Sequence, residues 1–206
     1  MLVGYRMTKE PVTVRPDESL SRAADMMRAG GFRRLPVVSD GELVGIITER
    51  DLRAHQGYLE RTKINGIMTE NPWTVGTDTT LEEAAQIMLE RRIGGLPVVA
   101  EGRLVGIITA SDVMQAFLDV MGASKGGSTR IDFILEGEEH GLVEASRVVA
   151  RDGGKILGIG TYRDKLGENP ICYLRIIEGN ANKIAKALRS AGFDVLGVHR
   201  IGSGSA

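Results

Sequence analysis

Two four-residue steps carry the groups best placed to grip a small polar ligand, Thr48-Glu49-Arg50-Asp51 and Thr109-Ala110-Ser111-Asp112. A threonine hydroxyl can donate to a ligand oxygen, and a carboxylate three residues on can accept from both hydroxyls of a ribose. A helix opening at that point would also favour a phosphate beside its free N–H groups. The same spacing suits a capping box, in which the threonine caps the helix and the aspartate answers from its first turn. Both readings stand on these residues alone. Arg33-Arg34 adds two guanidiniums, whose fork matches phosphate oxygens, although a solvated surface pair is the other reading.

Little else in the chain offers chemistry. His55 is isolated, and Glu49 has neither a base nor a nucleophile beside it. The single Cys172 excludes an intrachain disulfide, and three scattered histidines make no metal-ligand set. Gly41, Gly45, Gly102 and Gly106 lack a phosphate-cradling spacing and suit turns and close packing instead. With no activated nucleophile, no carboxylate pair and no metal set, an enzyme is not expected. A net charge of −1 gives no field for nucleic acid or an anionic membrane, and aromatics at 4% provide no stacking platform. No apolar run approaches the roughly 20 residues that cross a bilayer, and the first ten residues do not read as a signal peptide. A soluble cytoplasmic protein is the expectation.

The elements that must position those residues are written twice. Residues 35–51 read LPVVSDGELVGIITERD and residues 96–112 read LPVVAEGRLVGIITASD, an offset of 61. Over 7–52 against 68–113 there are 22 identities in 46 positions, without a gap. In each copy an extended segment (Val12 to Val14; Trp73 to Val75) leads to a helix with Asp17 or Asp78 as its cap. The apolar stripe is Leu20, Ala23, Ala24, Met27 in one copy and Leu81, Ala84, Ala85, Met88 in the other. Two strands follow (Leu35 to Val38 and Leu43 to Ile47; Leu96 to Val99 and Leu104 to Ile108), and a second helix starts near Thr48 or Thr109. One such unit is too small to cover its own sheet, so two should pack together.

This doubled pattern resembles a tandem pair of CBS domains, the cystathionine-β-synthase-type module, over roughly residues 1–121. The resemblance implies an α/β (α+β) fold of two ββαββα-type half-modules packed through their sheets, with CBS repeat 1 at 1–61 and CBS repeat 2 at 62–121. It implies clefts for adenosine-containing ligands, AMP, ADP, ATP or S-adenosylmethionine. By the resemblance Asp51 and Asp112 bind ribose, and Thr48, Thr109 and Ser111 line the phosphate side. It further implies that Met7, Val12 and Thr13 face Thr109 and Asp112, while Met68, Trp73 and Thr74 face Thr48 and Asp51, with apolar side chains walling the adenine. Arg33-Arg34 aligns with Gly94-Gly95, so the two clefts are expected to be unequal, the arginines serving a phosphorylated ligand. Arg91-Arg92 falls at a helix end, where cations suit the dipole.

Residues 122–128 read as a Gly/Ser linker. Beyond it come a strand (129–135), a helix (142–151), strands at 155–163 and 171–178, a helix (181–190) and a strand (194–199), leaving 203–206 as a flexible tail. The order βαββαβ is ferredoxin-like. It resembles an ACT domain over 129–202, a module that often binds amino acids at a dimer interface. Its usual Pro-Gly is replaced here by His140-Gly141. If a ligand binds there, Glu139, His140, Gly141 and Leu142 are the expected contacts; a ligand-free dimerisation sheet is the other reading. A CBS pair followed by such a domain resembles acetoin-utilisation-type accessory proteins. The expected whole is a homodimeric regulatory sensor, with a structural or partner-binding assembly protein of unoccupied clefts as the alternative.

Overall fold

The structure is a computed structural model and describes residues 1–124, 126–134, 141–163 and 169–200. The chain divides into two compact units, Met1–Met114 and Gln115–Ala206.

Each repeat supplies the same elements: β1 (Thr8–Lys9), α1 (Leu20–Gly30), β2 (Arg34–Ser39), β3 (Glu42–Thr48) and α2 (Glu49–Ala54), then β4 (Thr69–Glu70), α3 (Leu81–Arg91), β5 (Gly95–Ala100), β6 (Arg103–Thr109) and α4 (Ala110–Val120), which runs past the end of the first unit. The helix starts are one correction to the sequence reading. Ser19 and Thr80, not Asp17 and Asp78, are the N-caps, their hydroxyls accepting from the N–H of Arg22 and Glu83 at 3.2 and 3.1 Å. Both residues hold extended backbone immediately before the first helical turn, where a short hydroxyl reaches the third N–H. Downstream, the apolar stripes seal the sheets: Leu20, Ala23 and Met27 are buried, and so are Leu81, Ala84 and Met88. Asp40-Gly41 and Glu101-Gly102 turn each hairpin with all four residues at positive φ, where a primed two-residue turn matches strand twist.

The second correction concerns the leading segments. The paired strand of each lies upstream of the positions expected, and it joins the other repeat's sheet. β1 pairs antiparallel with β6, Thr8 opposite Ile107, and β4 pairs with β3, Thr69 opposite Ile46. The sheets are therefore β1-β6-β5 and β2-β3-β4. The chain then crosses back, because Val14 bridges Val37 and Val75 bridges Val98, both parallel and each within its own repeat. Exchange continues upstream, where Ile64 is fully buried in the core of the first repeat with Leu20, Leu35 and Ile47. At the matching place, Val3 N–H donates to the Thr79 carbonyl at 2.9 Å beside the second repeat's helix. β3 and β6 bring the two sheets together. Neither repeat completes its sheet or core alone.

The second unit contains β7 (Thr129–Ile134), α5 (Gly141–Arg151), β8 (Lys155–Tyr162), β9 (Ile171–Ile177), α6 (Ala181–Ser190) and β10 (Asp194–Arg200). The order βαββαβ matches the expectation. Its antiparallel sheet runs β10-β7-β9-β8. Both helices cover one face, where Ile131, Phe133, Cys172, Leu174 and Ile176 pack on Ala145, Val148, Val149, Ile184 and Leu188. Two residues of the expected linker pack: Ser128 is buried, and a Cβ on Gly122 would lie 2.8 Å from that of Leu157.

Candidate functional site

Each Thr-x-x-Asp step falls at the junction of an inner strand and a helix, as the repeat predicts. Thr48 ends β3 and caps α2, while Thr109 ends β6 and precedes α4. Asp51 Oδ2 accepts from the Thr48 N–H at 2.8 Å and its hydroxyl at 2.6 Å. Asp112 Oδ2 repeats this on Thr109 at 2.8 and 2.6 Å. Both capping boxes are formed. A carboxylate held by its own threonine at one oxygen is fixed in orientation, so the capping and ligand-binding readings of these residues are compatible. All four are only partly buried, while Ser111 on the first turn of α4 is exposed.

The strand exchange decides which segments meet which helix starts. β1 pairs antiparallel with β6 just before Thr109, Thr8 opposite Ile107 and Lys9 opposite Gly106, and the Met7 side chain lies over Gly106, filling the space a Cβ would need. Met68 does the same over Gly45, its Sδ 2.6 Å from where a Cβ would stand. Met7 and Met68 therefore sit on the opposite repeat's inner strand. Val12 and Thr13, and Trp73 and Thr74, belong to the stretches that return to their own repeats at Val14 and Val75. Val12 and Trp73 are about half exposed.

Arg34 makes a connection between repeats. It stands opposite Thr48 in the β2–β3 register, yet its guanidinium donates to the Gly94 carbonyl of the other repeat. That carbonyl also accepts from Ala110 N–H at 3.1 Å, the first residue of α4. Arg34 thus lies at the opening of α4, where Asp112 attracts it. Burial, and then repulsion from Arg33, lower its pKa, with Asp112 opposing both. A Cβ at Gly94 would come 2.7 Å from Arg34 Nη2, and one at Gly95 would overlap Nη1. The Arg-Arg against Gly-Gly departure is thereby a fitted pair, since only glycines leave room for the guanidinium. Arg33, by contrast, is exposed, and its carbonyl accepts from Glu49 N–H at 2.9 Å at the opening of α2.

One partnership escaped the sequence reading. Arg91, assigned there to the helix dipole, stacks on the Trp73 indole with its guanidinium carbon 4.1 Å from the ring centroid. A signal existed: Trp73 and Arg91 replace Val12 and Gly30 of the first repeat together. Of the C-terminal candidates, Gly141 and Leu142 open α5, with Gly141 buried, while Glu139 and His140 lie outside the described residues. Among the described residues no group of acidic, histidine or cysteine side chains could hold a metal, and no helix is long and apolar enough to cross a membrane.

Comparison with known proteins follows the repeat. The chain is 37% identical over 136 residues to a CBS domain-containing protein of Dictyostelium discoideum, covering 59% of this chain and 94% of that one. It is 43% identical over 107 residues to an inosine-5′-monophosphate dehydrogenase of Korarchaeum cryptofilum, of which it spans only 22%. Among solved structures, the CBS domain pair of MJ0100 in complex with 5′-methylthioadenosine and S-adenosyl-L-methionine superposes with a TM-score of 0.54 at 34% identity, covering 57% of this chain and 95% of that one. CBSX2 in complex with AMP gives 0.53 at 33% identity, covering 57% and 96%. AcuB of Vibrio cholerae, named for acetoin utilization, gives 0.53 at 34% identity, covering 57% and 90%. The CBS domain model itself matches twice, at residues 3–57 and 64–119, so more than half of the chain, two tandem repeats, belongs to the CBS domain family.

Proposed function

We propose that this chain is a regulatory sensor that binds an adenosine-containing ligand between its two CBS repeats and is not itself a catalyst. The observation that carries the reading is the exchange of leading segments. It sets Met7 on the strand ending at Thr109 and Met68 on the strand ending at Thr48, so each cleft draws on both repeats. A ligand held this way has a different free energy in each relative arrangement of the repeats, which is what regulation requires. Ribose hydroxyls go to Asp51 and Asp112, and phosphate oxygens to Thr48, Thr109, Ser111, Arg33 and Arg34. Adenine packs beside Met7, Val12 and Thr13 in one cleft and beside Met68, Trp73 and Thr74 in the other. The 5′-methylthioadenosine and S-adenosyl-L-methionine of MJ0100 and the AMP of CBSX2 support an adenosine-containing class, for which AMP, ADP, ATP and S-adenosylmethionine are the candidates. Arg34 makes the cleft at α4 the preferred phosphate site.

The C-terminal βαββαβ unit is the output or second input, an ACT-like domain that pairs two cytoplasmic copies into a homodimer. An amino acid at the start of α5, against Glu139, His140, Gly141 and Leu142, is the second-input form of this reading. A second reading, an assembly protein with unoccupied clefts, draws on the satisfied state of the site: both aspartates already accept from threonines, and Arg34 from Gly94 has an acceptor. Trp73, the single tryptophan, separates the two. Titration with AMP, ATP and S-adenosylmethionine should change its fluorescence and raise the melting temperature. Silence of both signals toward all three supports the assembly reading.

A further inference from the structure

The face of the C-terminal sheet turned away from α5 and α6 carries an arrangement of charge that the sensor reading does not use. Side chains alternate along a strand. With Ile131, Phe133, Cys172, Leu174 and Ile176 packed toward the helices, Arg130, Asp132, Tyr173 and Arg175 stand on the other face. The register sets Arg130 directly opposite Arg175 on one side and His199 on the other. Like charges at opposed positions repel, and low exposure leaves little water to screen them. Arg175 is 3% exposed and Asp132 4%.

Among the described residues, one carboxylate serves this group. Asp132 Oδ1 accepts from Arg130 Nε at 2.8 Å and lies 2.7 Å from Nη2, while Oδ2 lies 3.3 Å from His199 Nε2. Arg130 is further stacked on Tyr173 and Tyr162, 4.7 and 5.2 Å from the ring centroids. Arg175 has none of this. Its Nη1 donates to Ser128 Oγ at 3.3 Å, and its buried Nε finds no acceptor among the described residues. Burial and the nearby Arg130 lower its pKa, against the pull of Tyr173 and Asp132. Glycines on this face admit close neighbours, the Met121 carbonyl oxygen lying 2.8 Å from where a Gly158 Cβ would stand. Gly158 and Gly160 pair with Arg175 and Tyr173, and the Tyr173 ring lies 2.6 Å from where a Gly160 Cβ would stand. The His199 ring occupies the corresponding space over Gly197.

Among the described residues, two arginines against one aspartate leave one positive charge around the buried Arg175, together with an orphaned N–H. Buried charges are stable when paired, and an unsatisfied buried donor calls for a missing partner. We propose that this face, centred on Arg175 with Arg130 and Ser128, binds a small monovalent carboxylate. A carboxylate offers two oxygens to the guanidinium fork and one negative charge to balance one positive. The nucleotide clefts lie on other residues, so this site stands or falls independently of them.

The test uses the full chain, labelled with nitrogen-15, and follows the Arg175 Nε–Hε NMR signal, assigned by its disappearance in Arg175→Lys. Sodium acetate is titrated against sodium chloride of equal ionic strength, with inorganic phosphate as a second anion. Acetate should shift the signal saturably with a midpoint of about 1 mM, chloride should not, and phosphate should act more weakly. Arg130→Gln should weaken the acetate response at least about tenfold. No saturable shift with acetate, or a stronger response to phosphate, would overturn the proposal. A carboxylate from a second copy is separated by dilution. If the signal moves with protein concentration and acetate leaves it unchanged, the charge is completed across an interface and the small-ligand site is wrong. The wild-type titrations decide the matter even if a variant fails to fold.

Discussion

At the scale of single residues, Thr109 and Asp112 hold two roles that differ in kind. The hydroxyl and the carboxylate bond to each other, and that bond also closes the first turn of α4. Thr109→Ala should therefore cost about 1 kcal/mol in urea denaturation, with Thr109→Ser restoring most of it. Reading ligand affinity in the same variants separates capping from binding. Cys172 makes a pH-dependent prediction. Burial, and then the charge of Asp132, push its thiol up from 9.0 to about 11. The folded protein should resist alkylation at pH 8 and react once unfolded in denaturant. Because the folded state keeps its proton longer than the unfolded chain, this thiol lowers stability as pH climbs from 9.0 toward about 11. Cys172→Ala should flatten that decline. Early labelling of the native thiol at pH 8 would contradict the account.

Elements show where the sequence was legible. The hairpins, both stripe helices and the Thr-x-x-Asp junctions follow from a pattern repeated with an offset of 61, so each was readable twice. Two-residue β1 and β4 were not. Thr8-Lys9 and Thr69-Glu70 are exposed and too short for any periodicity, and their partners lie about a hundred and about twenty residues away, where spacing says nothing. The helix caps were misread because an aspartate and a hydroxyl residue competed within three positions, and only backbone geometry decides between them. Gly45 and Gly106 read as packing glycines, and the structure names what they pack: Met68 and Met7. Gly106→Val should expel β1 and lower the melting temperature more than Val44→Ala, whose side chain is only partly buried. Arg92 ends α3 at φ 53°, where the first repeat has Gly31 at φ 66°. Arg92→Gly should raise stability by roughly 1 kcal/mol in thermal unfolding, since only the side chain is strained there.

For the molecule as a whole, the exchange makes the pair, not the repeat, the folding unit. Ile64 completes the core of the first repeat, and the Val3 segment is hydrogen-bonded beside the helix of the second. A fragment of residues 1–61 should show little cooperative melting by circular dichroism, while 1–121 should melt as one transition. Two cooperative transitions in 1–121 would count against it. Sequence reading reached the doubled module and the asymmetry at Arg33-Arg34 against Gly94-Gly95. It did not reach the contact that explains the asymmetry, because an arginine's reach from one repeat to the other has no one-dimensional signature. The charged face of the C-terminal sheet was silent for a similar reason. Arg130, Asp132, Arg175 and His199 are scattered in the chain and meet only through strand register.

Isothermal titration of AMP into the full chain, alongside Asp112→Ala and Arg34→Ala, tests the central claim most directly. The account predicts saturable binding to the wild type, little or none to Asp112→Ala, and at least about tenfold weaker binding to Arg34→Ala, a loss of about 1.4 kcal/mol. AMP at a hundred times its dissociation constant should also stabilise the wild type by about 2.7 kcal/mol. Absence of heat and of any stabilisation with AMP, ADP, ATP and S-adenosylmethionine, from a wild type that melts cooperatively, would contradict it.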